Sequence, residues 1–145
     1  MEVYTRSIGT MTLPEGPYVL LVDDEDASVG PLRDLVRFAG FASVATRSAT
    51  DALACCFHRP PRVVVTDLVM PGQDGRALAR RIRRRYPVLP IVLITGQNLE
   101  HPDWTIPPDL FEAIYPKPLD FERFIGTIER LMVAPRRGGT GQGRP

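Results

Sequence analysis

The chain has 145 residues, 43% of them hydrophobic and 24% charged, with a formal net charge of +1. That is the size and balance of one globular domain with a real core, and near-neutrality excludes a dominant polyanionic partner, whether nucleic acid or an anionic membrane. No apolar run is long enough to cross a bilayer, and residues 1–17 carry Glu2 and Arg6 without a hydrophobic signal core, so secretion is not expected.

Residues 1–17 read as a polar leader, flexible against the domain, because Gly9, Pro14, Gly16 and Pro17 punctuate it. The apolar run 18–22 predicts the first strand. A helix follows from Asp26 or Ser28 to residue 38, with Leu32, Leu35, Val36 and Ala39 at helical spacing and Gly40 as its stop. Gly30-Pro31 sits oddly there, since proline is tolerated only in a first turn, and predicts a helix that begins late or bends at its start. Residues 42–46 form a short strand, and Ser48, with Asp51 three residues on, caps the next helix, whose inner face is Ala52, Leu53, Cys56 and Phe57. Pro60-Pro61 end it. Adjacent Cys55 and Cys56 rarely satisfy disulfide geometry with each other and read as small apolar residues in a reducing cytoplasm. A vicinal-thiol metal or redox site lacks a nearby His or Cys to complete its ligand set.

The run 63–66 has the most buried pattern of the strands. Met70-Pro71-Gly72 turns the chain, and Asp74-Gly75 leads into a helix with Leu78, Ala79 and Ile82 inside. Arg76, Arg80, Arg81, Arg83, Arg84 and Arg85 fall mostly outside, a solvated basic face suited to an acidic partner, since no aromatics interleave as nucleic acid would require. Pro87 and Pro90 flank the entry to strand 91–94. Between two parallel strands a helix is expected over 96–111, but Pro102, Pro107 and Pro108 allow only a turn or two, with Trp104 packed under the loop. Strand 114–116 and a final helix 120–133 follow, the helix with Phe121, Phe124, Ile125, Ile128, Leu131 and Met132 on its apolar face. The Gly-, Arg- and Pro-rich stretch 134–145 reads as a disordered tail. Strand–helix alternation repeated five times predicts an α/β doubly wound domain over 18–133.

The chemistry stands at the ends of the apolar runs: Asp23 and Asp24 after the first, Asp67 after the third, Thr95 after the fourth and Lys117 after the fifth. Open parallel sheets bind ligands at the carboxyl ends of their strands, so these side chains should converge. Three crowded carboxylates ask for a hard divalent cation, and a lysine beside them asks for an anion such as a phosphoryl group. Each signal alone has an ordinary reading: Asp23-Asp24-Glu25 as an acidic helix start, Lys117-Pro118 as an exposed turn. His58 and His101 lack partners and read as surface residues.

The combination resembles a response-regulator receiver domain, the phosphoacceptor module of two-component signalling. It is carried by Leu-Val-Asp23-Asp24-Glu25, by Thr66-Asp67-Leu68-Val69-Met70-Pro71-Gly72-Gln73-Asp74-Gly75, by Ile94-Thr95-Gly96 and by Lys117-Pro118, in that order and each after an expected strand. The resemblance implies a flavodoxin-like five-stranded parallel sheet of order 2-1-3-4-5, here with a shortened or irregular fourth helix. It implies Asp67 as phosphoacceptor, and Mg²⁺ held by Asp23, Asp24, Asp67 and the Val69 main-chain carbonyl, with Asp23 acting through metal-bound water. Lys117 and the Thr95 hydroxyl would bond the phosphoryl group within a backbone cradle near Val69 and Gly96, Gly96 leaving the approach open. Lys117-Pro118 is an expected cis bond.

Two departures stand out. The family's aromatic switch position is Ile114, with Tyr115 beside it pointing to the opposite face. The proline-broken fourth helix removes part of the usual signalling surface, so the phosphorylated state is expected to be read through a remodelled 96–111 segment that orders. The resemblance implies a stand-alone regulator, phosphorylated by a histidine kinase or phosphotransfer protein and acting on a downstream protein, not a turnover enzyme. A binding-only adaptor or a phosphate sink is the alternative. An aspartyl-phosphate phosphatase needs a second Asp two residues after the nucleophile, where Val69 stands.

Overall fold

The computed structural model describes residues 5–8 and 11–134. Five parallel strands form the sheet: β3 (Val19–Val22), β4 (Ser43–Thr46), β5 (Val63–Asp67), β6 (Ile91–Thr95) and β7 (Ala113–Pro116). Their order is β4-β3-β5-β6-β7, which is 2-1-3-4-5 counted from Val19. Four helices connect or follow them: α1 (Asp26–Phe38), α2 (Ala49–His58), α3 (Gly75–Arg85) and α4 (Phe121–Val133).

Alternation along the strands divides the core in two. Val19, Leu21, Val63 and Val65 pack with Val29 and Val36 of α1 and Phe124, Ile128 and Leu131 of α4. Leu20, Val22 and Val64 pack on the other face with Ala52, Leu53 and Cys56 of α2 and Leu78, Ala79 and Ile82 of α3. Both faces of the sheet are covered, which is why its strands read as continuous apolar runs.

Local signals set the helix ends. Ser48 Oγ accepts from the Asp51 amide at 3.1 Å, Asp74 from the amides of Arg76 and Ala77 at 2.8 and 3.0 Å, and Asp120 from the Arg123 amide at 3.2 Å. At the end of α1, Gly40 takes φ +102°, its amide bonds Arg37 O at 2.9 Å, and Phe41 N bonds Val36 O at 3.2 Å. Those two bonds make a Schellman stop.

Several expectations need correction. Residues 5–8 and 11–14 do not form a loose leader: β1 (Thr5–Ile8) and β2 (Met11–Pro14) pair antiparallel, with Thr5 opposite Pro14 and Ile8 opposite Met11. Leu13 is fully buried in the cluster with Tyr18, Cys55 and Cys56, and the Arg59 guanidinium donates to the carbonyls of Pro14 and Gly16 while stacking on the Tyr18 ring. The buried Leu13 side chain anchors the β1–β2 pair to the core. Helix α1 starts at Asp26, with Pro31 in its second turn. On α2, Ala52, Leu53 and Cys56 are buried as expected, Cys55 joins them, and Phe57 is exposed at the rim beneath the Arg85 guanidinium. Phe121, assigned to the apolar face of α4, is 57% exposed at the helix's first residue.

The two cysteines form no disulfide, and burial pushes Cys55 up to about 11 and Cys56 up to about 12, so both stay protonated. Between β6 and β7 there is only a 3₁₀ turn, Pro102–Trp104. Two arginines of α3 hold that segment. Arg76 reaches the carbonyls of Asp103 and Thr105, and Arg83 donates to Leu110 O at 3.1 and 2.9 Å as well as to Pro87 and Leu89. Arg80, Arg81, Arg84 and Arg85 are exposed as expected. Among the described residues no helix is long and apolar enough to cross a membrane. The stretch 135–145, expected as a tail, lies outside the described residues.

Candidate functional site

Register brings the site together. Val22 pairs with Thr66, Asp67 with Ile94 and Thr95 with Pro116, so the residues at or just past each pair share the carboxyl edge of the sheet. Asp23 and Asp24 leave β3 there, Asp67 ends β5, and Lys117 leaves β7. Carboxylate oxygens of Asp23, Asp24 and Asp67 all lie within 4.8 Å of one another. Lys117 Nζ is 3.4 Å from Asp67 Oδ2 and 3.9 Å from Asp23 Oδ2. The Leu68 amide donates to Asp67 Oδ1 at 2.8 Å, which fixes the carboxylate between a backbone donor and an ammonium.

Asp23 is 7% exposed, and burial pushes its carboxyl above the usual range. The Glu25 amide, donating to Oδ1 at 3.0 Å, opposes that push; Asp67 and Asp24 add to it, and Lys117 opposes it. A buried acid crowded by two others and facing one ammonium is short of positive charge. Three oxygen donors at this spacing fit a hard cation such as Mg²⁺ better than a soft metal.

The cleft above the carboxylates is lined by Asp24, Glu25, Asp67, Val69, Gly96, Gln97 and Lys117. Val69 and Gly96 lie beside Asp67 and Lys117 in that lining. A Cβ on Gly96 would meet only Lys117 side-chain carbons at 3.9 Å, ordinary contact. Thr95 is 2% exposed, and its Oγ1 accepts from the Gln97 amide at 3.0 Å. It lines a neighbouring hollow with Ile114 and Pro116, not the carboxylate cleft. Tyr115 faces α4, with its hydroxyl on Arg123 O and Thr127 Oγ1 and its ring edge-on to Phe124 at 5.9 Å. The Lys117–Pro118 bond is cis.

Sequence reasoning missed Gly75. A Cβ on Gly75 would lie 2.4 Å from the Asp67 carbonyl oxygen, and its amide donates to Leu68 O at 2.7 Å. The start of α3 thus presses directly on the backbone of the phosphoacceptor candidate. Asp74-Gly75 carried the signal, but the pair reads as an ordinary helix start. Of the 18 Lys and Arg residues, only Lys117 is a lysine. In a chain whose other basic side chains are guanidinium groups, a compact ammonium stands beside Asp67 and Asp23.

Comparison with known proteins agrees with this geometry. The family profile described as response regulator receiver domain matches residues 19–127. The chain is 35% identical over 121 residues to the C4-dicarboxylate transport transcriptional regulatory protein DctD of Rhizobium meliloti, covering 83% of this chain and 25% of that protein. It is 29% identical over 115 residues to the DNA-binding transcriptional regulator NtrC of Salmonella typhimurium, covering 79% of this chain and 24% of that protein. The chain therefore spans about a quarter of the length of these regulators. The crystal structure of the receiver domain of NtrX from Brucella abortus superposes with a TM-score of 0.72 at 28% identity, covering 81% of this chain and 99% of that one. The signal receiver domain of an HD domain-containing protein from Pseudomonas fluorescens gives 0.71 at 26% identity, covering 79% and 93%. With a profile match from first to last strand and the carboxylate–lysine cluster at the sheet edge, the chain belongs to the response regulator receiver domain family, in which aspartate phosphorylation and Mg²⁺ are standard.

Proposed function

We propose that Asp67 accepts a phosphoryl group from a histidine kinase or a histidine phosphotransfer protein, and that the phosphorylated chain signals through contact with a downstream protein. The observation that carries this reading is the Asp67 carboxylate itself, held by the Leu68 amide and Lys117 and flanked by Asp23 and Asp24. An Asp67 carboxylate oxygen attacks phosphorus, the bond to the donor's histidine nitrogen breaks, and that electron pair stays on the imidazole. Lys117 would follow the charge from carboxylate to phosphoryl oxygen, and the Val69 and Gly96 backbone would supply further donors. Asp23, Asp24, Asp67 and the Val69 carbonyl would hold Mg²⁺, with Asp23 through water. The bound ion offsets the carboxylates and the charge gathered on the phosphoryl oxygens. Thr95 reaches the phosphoryl group only by leaving the pocket it shares with Ile114.

The chain would act as a phosphoacceptor and not as a turnover enzyme, because Val69 stands where a phosphatase of this chemistry carries its general acid. A cytoplasmic setting suits two protonated, buried thiols. The second reading is a binding-only adaptor, favoured by the placement of Thr95 away from the carboxylate cleft; a phosphate sink is a variant of the first. Intact-mass spectrometry after incubation with acetyl phosphate and Mg²⁺ separates them. A phosphate-sized gain that needs Mg²⁺ and vanishes in Asp67→Asn supports the phosphoacceptor, and no gain in folded protein supports the adaptor.

A further inference from the structure

The segment that replaces a helix between β6 and β7 is not held by the hollow around Ile114 alone. Arg76 clamps it from α3. The guanidinium donates to Asp103 O at 3.1 Å and Thr105 O at 3.0 Å, lies 5.3 Å over the Trp104 ring, and is itself fixed by Asp74 Oδ2 at 2.8 Å. Five donors in a rigid fork suit such a multiple attachment, and a point-charge ammonium does not. The clamp's other end reaches the site. Asp74 caps the first turn of α3, and Gly75 between them donates to Leu68 O and abuts the Asp67 carbonyl. Leu68 in turn donates its amide to Asp67 Oδ1.

We propose that the state of Asp67 is transmitted to the 102–105 turn through Leu68, Gly75 and the Asp74–Arg76 clamp, with Arg76 as the positioning residue. This rests on the reading of Asp67 as phosphoacceptor. Phosphorylating one carboxylate oxygen makes an acyl phosphate, takes the negative charge off the other oxygen and weakens Asp67 as an acceptor for the Leu68 amide. The Leu68 backbone cannot shift without moving Gly75, because a 2.7 Å hydrogen bond and direct backbone contact join them. Gly75 and Arg76 are covalent neighbours, so any rotation of the first turn of α3 re-aims the guanidinium at Asp103, Trp104 and Thr105. The route bypasses Thr95 and Ile114.

The chain supplies its own reporter, since Trp104 is its one tryptophan. The experiment follows Trp104 emission and amide hydrogen exchange over 97–111 as the full chain is phosphorylated with acetyl phosphate and Mg²⁺, with phosphate counted by intact mass in the same samples. The variant is Arg76→Lys, which keeps the charge and loses the fork; its melting curve is recorded alongside. The expected result is a change in emission and exchange that tracks the mass gain in the wild type, with that change lost in Arg76→Lys while the mass gain persists. A mass gain with neither optical nor exchange response overturns the transmission route and leaves the phosphoacceptor standing. A response preserved in Arg76→Lys overturns it as well. No mass gain removes the phosphoacceptor reading and the route with it. A melting point unchanged in Arg76→Lys separates lost coupling from lost structure.

Discussion

The carboxyl edge of β3, β5 and β7 and the segment between β6 and β7 are neighbours that follow different rules. At the first, the functional side chains stand at strand ends, and backbone amides hold the carboxylates of Asp23 and Asp67. At the second, the expected helix is gone, and carbonyl groups that a helix would satisfy are taken instead by Arg76 and Arg83. Acceptor chemistry tolerates little change in residue type because charge must be balanced within a few ångströms. A connecting segment tolerates much, provided its backbone groups find partners.

The sharpest way to test the fixed side is Lys117. Replacing it with Gln removes the ammonium that pairs with Asp67 and Asp23 and, under the proposed role, the charged donor to the transferring group. Loss of one such donor costs roughly a hundredfold in rate. The rate of phosphate gain from acetyl phosphate, followed by mass, should fall by about that much. A rate equal to that of the wild type would mean that the ion pair to Asp67 is only structural.

Two glycines separate the regions next. Gly75→Ala places a methyl group against the Asp67 carbonyl, where the site and α3 are fused, and should cost about 1–3 kcal/mol by overpacking. It should also weaken Mg²⁺ binding if Asp67 holds the ion as proposed, because the strain falls on Asp67. Gly96→Ala, on the side facing the remodelled segment, meets only ordinary contacts and should stay within about 0.5 kcal/mol of the wild type. Urea melts with and without Mg²⁺ check both. Equal costs at the two positions would erase the distinction between a packed and an open side of the cleft.

What the sequence made legible follows the same division. The apolar runs placed all five strands of the main sheet, and the residues ending them placed Asp23, Asp24, Asp67 and Lys117, because strand and site share one pattern. The fold family then followed, with its strand order. Gly75 escaped because its requirement is a close approach of two backbones distant in sequence, invisible to any local pattern. Arg76 escaped because it sits in a run of six arginines on one helix, and nothing in the sequence says which of them turns to a loop 27 residues on. The β1–β2 pair escaped because residues 5–14 carry too little apolar periodicity to outweigh Gly9, Pro14, Gly16 and Pro17 in the sequence.

The smallest expected effect concerns the joint between the two regions, Asp74. Burial pushes its carboxyl up, but the bonded Arg76 guanidinium and the amides of Ala77 and Arg76 outweigh that push and hold it below the usual range. A carboxyl depressed in the folded state binds its proton more readily in the unfolded chain. Its contribution is therefore present above the unfolded pKa and is lost as pH falls through the folded one. Asp74→Asn keeps an oxygen to cap α3, since Asn caps about as well as Asp, and removes the charge together with the Oδ2 acceptor that faces Arg76. The Arg76–Asp74 pair is partly exposed, with side chains 17% and 30% accessible, so the loss should be under about 1 kcal/mol. Melts from neutral pH down into the carboxylate range should show wild type and Asp74→Asn apart at neutral pH and converging in acid. Curves that stay parallel throughout would mean that the cap alone matters. The Arg76 fork would then be held in place by Trp104 and the loop carbonyls, and the joint would belong to the segment and not to the site.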